Sequence, residues 1–243
     1  LEYSGVLYNS AFGWPQWVSA NTVNTGPAFF VTAPGIRLRY DVNEAVYLQA
    51  GIYDGDSFDD PAGGDARKNS NGTRIHFSGD QGTFSMYELG WTRAASLPTT
   101  VKAGAWLQTG RFGDSSGAAV THNNNYGVYG SVEQMLCREG DDQGLGAWFR
   151  AGWSPKERSA YDFSCDTGLS YLGLIPGRDA DTIAIGGAYT DSTVPGNASY
   201  ELALEAAYDF VVNDHFSVQP SLQHIINPGA PGAVADATLF GLR

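Results

Sequence analysis

The sequence predicts an all-β protein, a transmembrane antiparallel β-barrel, and three observations carry that expectation. The first is the stretch Tyr200 to Phe210. Tyr200, Leu202, Leu204, Ala206, Tyr208 and Phe210 alternate there with Glu201, Ala203, Glu205, Ala207 and Asp209. Successive strand side chains point to opposite faces, so one face is greasy, with an aromatic at each end, and the other carries carboxylates. A tilted strand of about 9–11 residues spans the hydrocarbon layer, and aromatic girdles mark both interfaces of such barrels. The second observation is that the same alternation recurs along the chain between clusters of Gly, Pro, Asn and Asp. The third is composition: 243 residues hold 31 Gly and 13 Tyr but little that reads as an amphipathic helix. No run of about 18 apolar residues is present, which excludes a helical anchor but not a barrel.

In chain order, strands are expected at 2–8, 35–42, 45–53, 83–94, 99–111, 126–137, 145–153, 161–173, 181–190, 199–211, 215–226 and 236–243. In 35–42, Ile36, Leu38 and Tyr40 oppose Arg37, Arg39 and Asp41. In 145–153, Leu145, Ala147, Phe149, Ala151 and Trp153 interleave with Gly146, Trp148, Arg150 and Gly152. In 161–173, Phe163, Cys165, Thr167, Leu169 and Tyr171 face away from Ser164, Asp166, Gly168 and Ser170. In 215–226, Phe216, Val218, Pro220 and Leu222 alternate with Ser217, Gln219, Ser221 and Gln223.

The connections between these strands supply a second rhythm. Asp41–Glu44, Ala95–Pro98, Arg138–Gly144, Pro176–Ala180 and Val212–Asp214 are short, as periplasmic turns are. They alternate with longer excursions at Ser10–Pro34, Asp54–Gly82, Gly113–Asn125, Ser154–Ala160 and Asp191–Ala198. The rhythm requires Arg74–Ser78 to belong to an outer excursion or to a bulged extension of the next strand. Net charge is −12, which repels phosphates and excludes a nucleic-acid partner. The chain opens at Leu1 without Met, so it reads as processed or incomplete. Cys137 and Cys165 fall at opposite rims by this strand order and are expected as free thiols.

Several segments resemble one family. They are Glu2-Tyr-Ser-Gly, Asn9-Ser-Ala-Phe-Gly-Trp-Pro15, Thr32-Ala-Pro-Gly-Ile-Arg-Leu-Arg-Tyr40, Tyr47-Leu-Gln-Ala-Gly-Ile-Tyr-Asp-Gly-Asp56, Thr109-Gly-Arg-Phe112, Ala151-Gly-Trp-Ser-Pro155, Gly173-Leu-Ile-Pro-Gly-Arg178 and Leu222-Gln-His-Ile-Ile-Asn-Pro-Gly229. Together, and in this order, they resemble the carbohydrate-selective porins of the OprB family over nearly the whole chain. The resemblance implies a barrel of about sixteen strands in the outer membrane of a Gram-negative bacterium, passing sugars by passive diffusion. About twelve strands are expected here, making residues 1–243 a single, partial β-barrel porin domain. The amino-terminal strands and the terminal residues of the family pattern are missing. Unpaired strand edges in lipid are costly, so the rest of a longer chain, or another polypeptide, is expected to close the barrel. The expected partners are sugars and outer-membrane lipid, with a homotrimer left open.

Function is expected on the inward faces. Sugars offer hydroxyl edges and apolar ring faces, so a selective pore needs hydrogen-bonding groups and aromatics. Parity places Arg37, Arg39, Gln49, Glu88, Trp106, Gln108, Trp148, Arg150, Glu201 and Glu205 in the lumen, joined by Lys102, Glu133, Asp166, Gln219 and Gln223. Arg37 and Arg39 form a positive ladder, and Trp106 and Trp148 are candidate stacking platforms for sugar rings. The bland alternative for each charged position is a solvated wall. The apolar excursion Ser10–Pro34 holds Phe12, Trp14, Trp17, Phe29 and Phe30 and is expected to fold into the barrel mouth as a constriction, or else to pack on a neighbouring loop or subunit.

Asp54, Asp56, Asp59, Asp60 and Asp65 make the second excursion acidic. A solvated loop is the default and a Ca²⁺ site the secondary expectation, because the spacing does not match a calcium-binding helix–loop–helix. No other metal and no cofactor is expected. Gly113-Asp-Ser-Ser-Gly117 matches G-x-S-x-G, but in a loop rather than a strand-to-helix elbow. Glu201 and Glu205 lie roughly 13 Å apart along a strand, too far for a glycosidase pair. His76, His122, His215 and His224 lack zinc-ligand spacing, and no enzyme is expected. The alternative functions are a structural or adhesive outer-membrane barrel and, more remotely, a soluble carbohydrate-binding sandwich.

Overall fold

In the computed structural model of the protein, one antiparallel meander dominates. The structure describes residues 2–27, 32–60, 64–69, 71, 74, 82–140, 143–193, 196, 199–229 and 234–243. The strands are β1 (Gly35–Asp41), β2 (Val46–Asp54), β3 (Thr83–Arg93), β4 (Thr99–Gly113), β5 (Thr121–Arg138), β6 (Gly144–Trp153), β7 (Phe163–Leu172), β8 (Thr182–Asp191), β9 (Tyr200–Asn213), β10 (Phe216–Val218), β11 (Pro220–Ile226) and β12 (Ala237–Leu242). Each pairs with its sequence neighbour, except that β9 pairs with both β10 and β11. β10 and β11 are one expected strand broken at Gln219, where Pro220 has no N–H to give the ladder. Gln219 exchanges backbone hydrogen bonds with Arg243 instead. Among the described residues the outer edges of β1 and β12 have no strand partner, and the sheet is open.

The two faces of the sheet see opposite surroundings. Ile36, Leu38 and Tyr40 are 68%, 72% and 68% exposed, and Leu204, Phe149, Leu222 and Phe210 point outward with them. Inward-facing Trp106, Gln108, Trp148, Arg150, Asp166 and Glu205 are buried. A soluble sandwich would bury the first set and solvate the second. Here the order is inverted, as for strands with lipid on one side.

One expected strand is absent. Residues 2–8 form turns, and the segment continues as α1 (Ser10–Gly13), α2 (Gln16–Ser19) and a 3₁₀ turn, Val23–Thr25. Residues 2–8 lie against the concave face of the sheet, where no ladder partner is offered. Two apolar clusters fix this inner segment. Leu7 and Phe12 pack with Trp148, Ala184, Ala188 and Ala207. Trp17 and Val18 pack with Phe84 and Trp106. Each cluster draws on both segment and wall, so the core of the molecule lies between the two.

Candidate functional site

A segment lying inside a barrel has backbone N–H and C=O groups with no ladder to satisfy them, and leaving them unpaired is costly. The wall supplies the partners. Glu133 accepts from the backbone N–H groups of Glu2 and Tyr3. Glu205 accepts from Tyr8 and Asn9, at 2.8 Å each. Arg150 donates to the carbonyls of Ala11 and Phe12 at 3.0 Å and of Gly13 at 3.2 Å, while its Nε meets Asp166 at 2.7 Å. Ser154 Oγ donates to the Trp17 carbonyl at 3.1 Å. Asn125 donates to the Asn21 carbonyl at 2.9 Å, and Gln108 accepts from Val23 N at 3.1 Å. Gln219 donates to the Val6 carbonyl.

These contacts divide the lumen residues expected from sequence into two groups. Gln108, Arg150 and Glu205 grip the inner segment. Trp106 and Trp148 are inward, as parity requires, but their rings are covered, which corrects their expected role as stacking platforms. Trp106 stacks on Phe84 with ring centroids 6.2 Å apart. Trp148 meets Phe12 edge-on at 6.3 Å and donates to Asp166 at 3.0 Å. The ring faces a sugar would need are spent on holding the segment. Glu201 accepts from the backbone of Gly229, near the outer end of β9.

The second group faces the part of the lumen that the segment leaves open, along β1 to β5. Glu88 is its centre. One of its oxygens accepts from the Tyr47 hydroxyl at 2.7 Å and from Gln49 Nε2 at 3.1 Å, and the other accepts from the Tyr129 hydroxyl at 2.7 Å. Gly104 makes this geometry possible, since a Cβ there would come within 2.4 Å of the Tyr129 ring. Arg39 lies 3.9 Å from the Tyr47 ring centroid and pairs with Asp41 at 2.8 Å. Arg37 is exposed on the same face of β1. A cavity of about 150 Å³ opens between this wall and the segment, lined by Trp14, Pro15, Glu88, Lys102, Tyr129 and Arg150. A second, of about 270 Å³, continues past Arg39, Tyr47 and Lys102 towards the 41–46 turn. Larger grooves of about 840 and 590 Å³ lie outside, between Leu38, Leu48 and Tyr87 and between Ile185, Leu204 and Leu222. Their walls are mostly apolar, as expected of gaps in the lipid-facing surface, although the strands that carry Arg39, Gln49 and Glu88, and Glu205, also border them.

Sequence reasoning missed Tyr47 and Tyr129. Both share parity with inward residues, Tyr47 with Gln49 and Tyr129 with Glu133, and that signal was sufficient to place them. Of the constriction candidates, Phe12 and Trp17 are buried against the wall, and Trp14 lines the smaller cavity with its Nε1 donating to the Thr25 carbonyl at 3.1 Å. Phe29 and Phe30 lie outside the described residues, as does most of Arg74–Ser78.

Among the described residues, the acidic excursion does not present converging ligands. Asp56 accepts from Asn24 Nδ2 at 2.6 Å and from the backbone of Phe58 and Asp60, at 2.9 and 2.8 Å. Asp60 pairs with Lys68 at 2.6 Å, Asp59 lies 3.6 Å from Arg74, and Asp54 accepts weakly from Asp56 N. Among the described residues, no group of three or more His, Cys, Asp or Glu side chains is placed to hold a metal ion. Asp54, Asp56, Asp59 and Asp60, the Ca²⁺ candidates, form no such group there; they cap their own loop. In the G-x-S-x-G stretch, Ser115 Oγ donates to the Lys156 carbonyl at 2.8 Å, with no helix following. Cys137 and Cys165 are both free thiols.

The family described as carbohydrate-selective porin, OprB family, matches residues 3–243. No curated protein matches the chain. Two solved structures share its fold. The high-pH structure of Pseudomonas putida OprB is 22% identical with a TM-score of 0.76, the match covering 87% of this chain and 58% of that one. The low-pH structure of the same protein is 19% identical with a TM-score of 0.56, covering 86% and 52%. The chain thus spans a little over half the length of the structures it matches. It belongs to the OprB family of carbohydrate-selective porins, and its setting is the outer membrane.

Proposed function

We propose that the protein carrying this chain admits sugars by passive diffusion through a water-filled bore, narrowed by the inner segment and lined along β1 to β5. The observation that supports this most directly is the Glu88 cluster beside Trp14 and Lys102. A carboxylate oriented by two phenols and an amide accepts from sugar hydroxyls. Lys102 and Arg39 donate, and Trp14 offers an apolar edge to the ring. Water held by these groups exchanges for hydroxyls with little net change, so each contact is weak and the solute leaves as readily as it enters. The two wall cavities in sequence give several such contacts rather than one deep site. The apolar outer face needs only lipid.

Reconstitution in liposomes tests the proposal. Swelling in glucose should exceed swelling in a similar-sized uncharged solute that lacks a ring of hydroxyls, and glucose should partly block ion conductance. Absence of both fluxes would leave a surface or structural role in its place.

A further inference from the structure

The turn α1 is held at both ends by wall charges of the sign its backbone calls for. Before it, both oxygens of Glu205 accept from Tyr8 N and Asn9 N. At its end, Arg150 reaches the carbonyls of Ala11, Phe12 and Gly13. The guanidinium's remaining Nε is taken by Asp166. Arg150 and Glu205 are both buried, on β6 and β9. Their hydrogen-bonding capacity is used on main-chain groups and one carboxylate, not kept for a passing solute.

Resting on the transport reading above, we infer that Arg150 and Glu205 are positioning residues that set the bore of the pore. They fix α1, and with it the adjacent Trp14, at a set distance from the Glu88–Lys102 wall. Charge-assisted hydrogen bonds are about twice as strong as neutral ones, so they add to the packing of Phe12, the one buried side chain of this four-residue turn, in holding it in place. The aperture is then a fixed gap between two surfaces, one of them held by Glu205 and by Arg150, which itself borders the gap. Losing either grip strands N–H or C=O groups that have no other partner among the described residues, and the turn shifts towards the open lumen wall or away from it.

Single-channel recording in planar bilayers tests this, with heat-modifiable gel mobility as the check that each barrel has folded. The variants are E205A, R150K, and the double variant R150M/D166N, which removes the buried ion pair as a unit. E205A and R150M/D166N should change the mean conductance step by about half or more, add open-channel noise, and weaken glucose block. R150K keeps the charge opposite Asp166 and a donor for one carbonyl, so it should fall between them and the unmodified protein. Folded E205A with unmodified step, noise and block overturns the positioning role, even if R150M/D166N fails to fold. An unmodified protein that conducts nothing overturns transport itself, and the positioning role with it.

Discussion

Trp17 of the inner segment lies stacked on Tyr129 of β5, ring centroids 5.0 Å apart and planes 23° from parallel. The hydroxyl of the same tyrosine donates to Glu88. One phenol thus meets the anchored segment with its face and the open wall with its edge. Trp17→Ala removes the stack and leaves a cavity, and core Trp→Ala changes cost about 3–5 kcal/mol. Chymotrypsin should then cut the segment in the folded barrel far faster than in the unmodified protein. Equal resistance would mean that the stack does not secure the segment.

Tyr129→Phe keeps the ring and loses the donor, and Glu88→Gln replaces one acceptor oxygen with a donor facing a phenol. Hydrogen bonds to charged groups are worth about 1.5–3 kcal/mol, so the glucose concentration for half-block should rise about tenfold in Glu88→Gln. Proteolytic resistance of the segment should not change. An unaltered half-block concentration in both variants removes Glu88 from the sugar path.

Arg178 donates to both carboxylate oxygens of Asp181, at 2.7 and 2.8 Å, and Tyr208 and Val211 N add to it. Foremost among these, the guanidinium holds the Asp181 carboxyl at about 2, below its ordinary range. An unfolded aspartate titrates near about 3.9, so the folded state binds its proton later on acidification. The resulting stabilisation is complete above about pH 4 and is lost as pH falls towards 2. Thermal unfolding in detergent should show that loss, and Asp181→Asn should lower the midpoint at neutral pH and flatten the curve below pH 4.

A Cβ on Gly152 would stand 2.3 Å from the Trp17 ring. Gly152→Val should therefore displace Trp17 at a cost of about 1–3 kcal/mol, raising protease sensitivity while the barrel still folds. Gly113 has open space at its Cβ position and serves as the control: Gly113→Ala should leave sensitivity unchanged.

Leu204 points outward and Glu205 inward. Leu204→Arg should weaken folding into bilayers by about 2–4 kcal/mol in a urea titration, as for arginine near the midplane of a lipid face. A shift near zero would place Leu204 outside lipid.

The strands were legible in the sequence because a two-solvent wall writes itself as a period of two. β1, β7 and β9 fall within a residue or two of the expected bounds, and Trp106, Trp148 and Arg150 lie on the expected face. The inner segment was legible only as a run of aromatics that water would not tolerate. Its anchoring was not, because the wall grips main-chain atoms, which every residue has and no side-chain pattern reports. For that reason Arg150 and Glu205 read as solute contacts, and residues 2–8 read as a strand. Tyr47 and Tyr129 were hidden differently, since aromatics on such strands suggest an interfacial girdle until their parity is checked.

Fastening through carbonyls and amides has an evolutionary and a practical consequence. Side chains on the fastened stretch that point into the bore carry less of the attachment, Trp14 among them. Exchanging Trp14 for a polar, charged or smaller group gives up its bond to the Thr25 carbonyl and its packing against the Trp17 cluster, but leaves the main-chain grips of Arg150 and Glu205 in place. Channels of altered preference should thus be reachable by single replacements there, with the scaffold left as it is.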